Sequence, residues 1–170
     1  MAIYFGDTSG GGDSAEGRII QVLETTKTDI FTESVGQGNN SAALCSTSIT
    51  LHHANNKVLC MAQVSASLNT GHGRQATLYR GSTSLLKGDS SGSRVRRGAG
   101  SPAGNTSSHS VIYLQFVDTP GSVGAHSYNF RLSHNENSTL TVRLNHTDYD
   151  NDTSAVGRTA SSLILMEIAA

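Results

Sequence analysis

The chain has 170 residues, of which 36% are hydrophobic and 15% charged, with a formal net charge of -1. This length allows one or at most two domains, and the near-neutral charge excludes a broad phosphate-neutralising face, so nucleic acid is not an expected partner. No apolar run reaches the roughly 18 residues needed to span a membrane, and the start lacks the basic and apolar regions of a secretory signal, so neither a membrane partner nor secretion is expected.

The first 17 residues are rich in glycine and polar side chains after a short apolar start, Ile3-Tyr4-Phe5. This composition has no pattern from which a core could form, so residues 1–17 are predicted to be an extended arm. A short apolar cluster suits burial in a partner's groove, and these three residues are therefore the candidate docking residues. Residues 18–170 are predicted to form one folded domain.

The clearest strand pattern lies at 58–68, where core-type residues alternate with others at a period of two. A similar alternation covers 45–51, and the residues at 53–56 between the two runs favour a turn. The two strands are therefore predicted to pair as a hairpin. In that register Cys45 and Cys60 are not opposite each other, so two buried free thiols are expected rather than a disulfide.

Residues 87–110 form a long polar loop, and a loop of this length in a compact domain is usually functional or mobile. It carries Arg94, Arg96 and Arg97, which are candidates for binding an acidic glycan, a capsid surface or a phosphate. The competing interpretation is a solvated loop with no specific partner, because exposed charge runs usually have none.

The other predicted strands are short apolar or alternating runs bounded by turn residues: 19–23, 28–32, 75–80, 111–117, 128–132, 140–144 and 163–168. Eight to ten short strands without intervening helices are typical of an all-β, antiparallel β-sandwich. Glu167 is the one charge in the last run. An unpaired buried charge is costly, so Glu167 is expected near the rim of a buried face or paired with an arginine.

Three of these runs, 19–23, 111–117 and 163–168, are apolar on both faces. A strand with one solvated face should alternate, and soluble monomers avoid a contiguous exposed apolar patch. The economical cover for the second face is another copy of the chain, which predicts a homo-oligomer with a β interface. The candidate interface residues are Ile19, Val111, Tyr113, Ile164, Met166 and Ile168.

Asp148, Asp150 and Asp152 place carboxylates at alternate positions, as in a calcium loop. Thr153 and Thr159 occupy the positions where such a loop needs glycine and glutamate. A solvated loop is therefore the preferred interpretation, and calcium binding stays open.

The seven histidines show no metal-ligand spacing, and the chain has no nucleophile elbow and no dinucleotide-binding motif in a strand-to-helix context. The chain is therefore not expected to be an enzyme, and no cofactor or metal ion is expected.

Several segments occur in order along the chain: RIIQVLETTKTDIFTES, NNKVLCMAQVSASL, LYRGSTSLLKGD, FVDTPGSVGAHSYNFRL and YDNDTSAVGRTASSLILMEIAA. As an ordered set over residues 18–170 they resemble a family of virion surface proteins of marine phages and cyanophages. The resemblance implies a jelly-roll or tumour-necrosis-factor-like module, usually trimeric, on the outside of a virus particle, and it implies no catalytic residue. Leu23 and Ile168 depart conservatively from the valine of typical members.

The predicted fold is thus an all-β, jelly-roll antiparallel β-sandwich with an extended N-terminal arm. The predicted function is that of a bacteriophage virion structural protein, a homotrimer made in the host cytoplasm and located at the virion surface. Two placements stay open: a head-decoration or cement protein on the major capsid protein, and a tail-fibre or knob component on a tail adaptor. The alternative function is a lectin-like, receptor-binding module that binds a host surface glycan through its long loops.

Overall fold

The computed structural model describes residues 2–4 as backbone, and residues 16–102, 108–154 and 156–170 with their side chains. These residues form the strands β1 (Ala2–Tyr4), β2 (Ile19–Lys27), β3 (Phe31–Val35), β4 (Leu44–Leu51), β5 (Lys57–Leu68), β6 (Arg74–Arg80), β7 (Thr83–Ser84), β8 (Ala99–Ser101), β9 (Ser110–Asp118), β10 (Gly124–His134), β11 (Leu140–Leu144) and β12 (Ser161–Ile168). No helix in this part of the chain is long and apolar enough to cross a membrane.

The strands form two antiparallel sheets that pack face to face as a sandwich. Sheet A contains β1, β2, β12 and β5 in that order. Strand β5 also pairs with β9. The last residues of β5 pair with β11, and β11 pairs with β3. Sheet B has the order β4-β10-β6, and β6 pairs with both β7 and β8. The predicted all-β, antiparallel sandwich is confirmed.

The strand order is that of a jelly roll. Leaving aside the short β1 and β7 and the added pair β3 and β11, eight strands remain: β2, β4, β5, β6, β8, β9, β10 and β12. They make the four-stranded arrays β2-β12-β5-β9 and β4-β10-β6-β8. When these eight strands are numbered from one to eight along the chain, the first array has the order 1-8-3-6 and the second has the order 2-7-4-5. This is the connectivity of two Greek keys in a double-sheet jelly roll.

The predicted hairpin between residues 45–51 and 58–68 is wrong. β4 pairs with β10 in sheet B, whereas β5 pairs with β12 and β9 in sheet A. Residues 52–56 therefore carry the chain from one sheet to the other. Alternation could not reveal this, because strands of both sheets bury one face against the same core.

Both cysteines are buried and free, as predicted. Burial raises the pKa of Cys45 to about 11 and that of Cys60 to about 12, so both stay protonated and unreactive near neutral pH.

The core lies between the two sheets and is built from alternate residues of each strand. In β12, Leu163 and Leu165 are fully buried, while Ile164 and Met166 point to the other side of sheet A and are only partly buried. The largest apolar side chains of the core share this inward parity: Ile49, Leu51, Leu68, Leu78, Leu114, Tyr128, Phe130, Leu132, Leu144, Leu163 and Leu165. The two-sided apolar pattern of β12 is thus real, and one of its faces is left to solvent.

Candidate functional site

The outer side of sheet A, turned away from the core, carries a row of apolar side chains across four strands. Val22 of β2 is opposite Met166 of β12, Met166 is opposite Leu59 of β5, and Leu59 is opposite Val117 of β9. In the next row Ile164 is opposite Met61. Residues paired this way have Cβ atoms about 4.5–5.5 Å apart, so the rows are continuous surfaces. We call this surface the outer apolar face; it consists of Val22, Leu59, Met61, Tyr113, Val117, Ile164 and Met166.

The outer apolar face is open to solvent and nearly free of charge. Tyr113 is 72% exposed, Val117 47% and Met61 37%. An open groove of about 360 Å³ runs between β12, β5 and β9, with Met61, Tyr113 and Ile164 in its lining. In three successive cross-strand rows, from Val117 to Tyr113, the one charged side chain is Glu24.

The structure places all six predicted interface residues on the outer side of sheet A. Tyr113, Ile164 and Met166 belong to the outer apolar face. Ile19 and Ile168 lie opposite each other at the β2–β12 end of the sheet.

Val111, the sixth predicted interface residue, lies near the other end of β9, opposite Ser65, and is 47% exposed. Sequence reasoning missed Leu59 and Met61, which lie at the centre of the outer apolar face. Their signal was available, because both are apolar at positions where a strand with one solvated face would be polar. That these residues meet another copy remains a prediction.

Glu167 of β12 points inward, like Leu163 and Leu165, and lies at the rim of the core between the two sheets. Its carboxylate is fully buried and accepts hydrogen bonds from Gln21 Nε2 at 2.5 Å, from Asn56 Nδ2 at 2.6 Å, and from the backbone N–H of His52 at 2.8 Å. Burial alone would raise the pKa of Glu167. The hydrogen bonds from Asn56, Gln21 and His52 together outweigh burial and lower the pKa. Of the two placements expected for Glu167, at the rim of a buried face or beside an arginine, the structure shows the rim, where amide, imidazole and backbone donors hold the carboxylate.

A second buried polar cluster closes the end of β9. Asp118 accepts a hydrogen bond from Tyr128 Oη at 2.8 Å and forms an ion pair with Arg80 at 2.7 Å. Burial, followed by the hydrogen bond and the charge of Asp118, raises the pKa of Tyr128 far above its usual range. The carboxylate of Asp118 is therefore neutralised within its own chain.

The three candidate arginines of the long loop point to different partners. Arg94 donates to Ser91 Oγ at 2.7 Å and Arg96 donates to the carbonyl oxygen of Gly88 at 2.6 Å, both within the loop.

Arg97 instead reaches across the surface to Gln75 Oε1 at 3.3 Å and Asn40 Oδ1 at 3.4 Å. Burial lowers the pKa of Arg97, and its contacts are with amide oxygens rather than with a carboxylate. Polyanion or glycan binding by these arginines remains a prediction.

The acidic loop is organised by arginines. Asp148 pairs with Arg143 at 2.5 Å, and Asp150 receives two contacts from Arg158 at 2.7 and 2.8 Å. Two of the three carboxylates considered for calcium are therefore already neutralised. Among the described residues no group of three or more histidine, cysteine or acidic side chains is arranged to hold a metal ion.

The start of the predicted arm pairs with the chain's own sheet. β1 extends sheet A antiparallel to β2, with Ile3 in register with Val22 and Tyr4 in register with Gln21. Phe5 and the side chains of Ile3 and Tyr4 lie outside the described residues. Their docking role remains a prediction.

No protein-family model matches the chain, and no curated protein matches it. Among solved structures the chain is similar to proteins of infectious bursal disease virus. The similarity to the Gx strain is 15% identity and a TM-score of 0.40, over 99% of this chain and 42% of that one. The similarity to VP2 in a subviral particle is 13% identity and a TM-score of 0.42, over 88% of this chain and 37% of that one. The similarity to a mutant VP2 in derived T=1 particles is 14% identity and a TM-score of 0.43, over 99% of this chain and 40% of that one.

The chain thus spans about two fifths of the length of these viral proteins. The jelly-roll assignment rests on the strand order of this chain alone.

Proposed function

We propose that the chain is a structural protein of a bacteriophage virion, a surface module that assembles as a homotrimer through the outer apolar face. The observation that carries this proposal is the row formed by Val22, Met166, Leu59 and Val117 on the solvent side of sheet A. A protein that acts by assembly needs such a surface.

Leaving the outer apolar face in water is unfavourable. Apolar surface that is removed from water stabilises an assembly by about 25 cal/mol per Å². The centres of protein interfaces are depleted in charged residues and enriched in aromatic residues and methionine. The outer apolar face has this composition: Tyr113, Met61 and Met166 are exposed or partly exposed, and the one charge in its cross-strand rows is the neighbouring Glu24.

The trimeric state and the place in the particle are supported by the ordered segments over 18–170, which resemble virion surface proteins that are usually trimers. A compact jelly roll with an N-terminal arm suits a module attached to a larger assembly. A head-decoration or cement protein on the major capsid protein and a tail-fibre or knob component on a tail adaptor both fit this description.

Sedimentation equilibrium of the purified protein tests the assembly. The expected mass is three times the 17.8 kDa of one chain, maintained on dilution to nanomolar concentration. A soluble monomer that stays monomeric at high concentration would overturn the proposal. A cryo-electron microscopy map of the parent virion then separates a capsid location from a tail location.

A glycan array probed with the same purified protein addresses the alternative function. Saturable binding to one glycan class, lost when Arg94, Arg96 and Arg97 are replaced by glutamine, would favour a receptor-binding module. Absence of binding together with a stable trimer favours the structural role.

A further inference from the structure

β9 is a long, regular edge strand. It pairs with β5 over nine consecutive residue pairs, from Ser110 with Ala66 to Asp118 with Val58, without a register shift. Within the part of the chain that the structure describes, no strand pairs with its other side. The strand contains no proline and carries no charge from Ser110 to Val117. Soluble proteins ordinarily blunt such an edge with a charge, a proline, a bulge or a covering segment.

The other long edges of this protein are protected. β4, the edge of sheet B, has a register irregularity against β10 and a positive φ of 50° at Cys45. Its side is also contacted by β2, because Gln21 Nε2 donates to the carbonyl oxygen of Thr50 and the hydroxyl of Thr47 bonds that of Thr25.

β3, the strand beyond β11, presents Glu33, which accepts a hydrogen bond from the backbone N–H of Ala42. β1 has only three residues.

β9 is itself contacted by sheet B at its two ends, where Arg80 pairs with Asp118 and Arg74 donates to Ser110 Oγ at 3.5 Å. Between these ends, in the described part of the chain, the side chains of residues 111–117 form no hydrogen bond, so this stretch is the least protected of the long edges.

The sequence of β9 is self-complementary when the strand is paired with an antiparallel copy of itself. With Leu114 as the centre, Tyr113 falls opposite Gln115 and Val111 falls opposite Val117. Large apolar residues also meet on the inner side, where Ile112 falls opposite Phe116. No charge meets a like charge in this register, and Asp118, which falls opposite Ser110, is already neutralised by Arg80.

We propose that β9 pairs with β9 of a second copy of this chain, antiparallel about a two-fold axis at Leu114, so that sheet A continues across both copies. Backbone hydrogen bonds supply the contact, as in other cases of strand addition. The pairing also gives the partly exposed Phe116 an apolar neighbour. A two-fold contact is isologous, so it needs only one self-complementary surface.

This contact is distinct from the proposed trimer contact, since one uses the edge of sheet A and the other uses its outer face. Where the trimer of the proposed function also forms, the β9 pair joins one trimer to the next on the particle. Only this last step rests on the proposed function. The β9 pair itself can form in its absence.

Site-directed cross-linking tests the register. Val111→Cys and Val117→Cys are made in separate chains, purified, mixed and oxidised. The proposal expects a covalent dimer in the mixture and little of it in either chain alone, because residue 111 meets residue 117 of the other copy. Facing Cα atoms in antiparallel strands lie about 4.5–5.5 Å apart, within the reach of a disulfide. The native cysteines are buried and do not compete.

The matched control replaces Val111→Cys by Val123→Cys, which is more exposed, at 62%, but lies in the turn after β9. Mixed with Val117→Cys, it should give no dimer above the random background. Circular dichroism confirms that all three chains are folded.

Absence of the 111–117 product at high micromolar concentration and on assembled particles overturns the proposal, and so does a product no more abundant than the control. An edge occupied by a strand of a different virion protein would give the same negative result. Failure of the trimer proposal would appear separately, as a monomeric or dimeric mass in the sedimentation experiment.

Discussion

Glu167 accepts two hydrogen bonds from His52, one from its backbone N–H and one from its imidazole Nδ1–H, both at 2.8 Å. A carboxylate can only accept, so the proton of the imidazole is on Nδ1. His52 follows β4 of sheet B, whereas Glu167 lies in β12 of sheet A. The pair therefore joins the two sheets at the rim of the core, next to the outward-facing Met166.

The substitution Glu167→Gln should destabilise the fold by about 3 kcal/mol, although it preserves the shape of the side chain. The carboxamide replaces one accepting oxygen of the carboxylate by an NH₂ group, which cannot accept. At least one of the buried donors of Gln21, Asn56 and His52 therefore loses its acceptor. Urea denaturation monitored by circular dichroism measures the change. Glu16→Gln, at an exposed position before β2, is the control and should change stability by less than about 0.5 kcal/mol. Equal effects at the two positions would contradict the role of the buried cluster.

The contribution of Glu167 should disappear in acid. Hydrogen bonds from Asn56, Gln21 and His52 outweigh the effect of burial and hold its folded-state pKa below the ordinary value of 4.5. The stabilisation is therefore complete above about pH 4.5 and is lost as the pH falls through the folded-state pKa. The stability difference between wild type and Glu167→Gln, measured from pH 7 downward, should be constant and then shrink. A difference that grows toward acid would refute the assignment.

Ile164 and Leu165 are neighbours in β12 but should respond differently to charge. Leu165 is fully buried in the core, and Leu165→Lys should prevent folding because it buries an unpaired ammonium group. Ile164 lies on the outer apolar face, and Ile164→Lys should give a folded chain that no longer has the mass of a trimer. Circular dichroism and light scattering separate these outcomes. If both variants fold and keep the parent mass, the outer apolar face is not the trimer contact.

Deletion of residues 1–17 should leave the melting temperature nearly unchanged and abolish incorporation into particles. Beyond the three-residue β1, the arm has a composition without a core-forming pattern. Differential scanning calorimetry measures the first effect, and co-sedimentation with particles that lack the protein measures the second. A truncated chain that still occupies particles fully would show that the anchor lies in residues 18–170.

Asn145 should be more sensitive to alanine than to glycine. Its φ is 65°, in the left-handed region, and its side-chain amide donates to the carbonyl oxygens of Lys27 and Asp29 at 2.8 and 3.0 Å. Both substitutions remove these bonds and should cost about 2–4 kcal/mol. Asn145→Ala should cost about 1 kcal/mol more, because only glycine adopts this backbone conformation without strain. Chemical denaturation of the two variants compares them, and an equal loss would show that the backbone conformation is not a source of strain.

The sequence by itself was sufficient for the fold class and for the two faces of the last strand. Period-two alternation is a local property, so it identified Leu163 and Leu165 as one face and Ile164 and Met166 as the other. The apolar character of both faces likewise predicted that one of them would be left over after folding. The outer apolar face is that surface.

Only the tertiary structure decided which strands pair and what neutralises the buried carboxylate. The runs at 45–51 and 58–68 looked like a hairpin, but they lie in different sheets because their partners, β10 and β12, come from distant parts of the chain. The donors to Glu167 lie 111 to 146 positions away along the sequence. Strand pairing and the satisfaction of a buried charge are set by contacts between distant residues, and alternation within one strand is the same whichever sheet that strand joins.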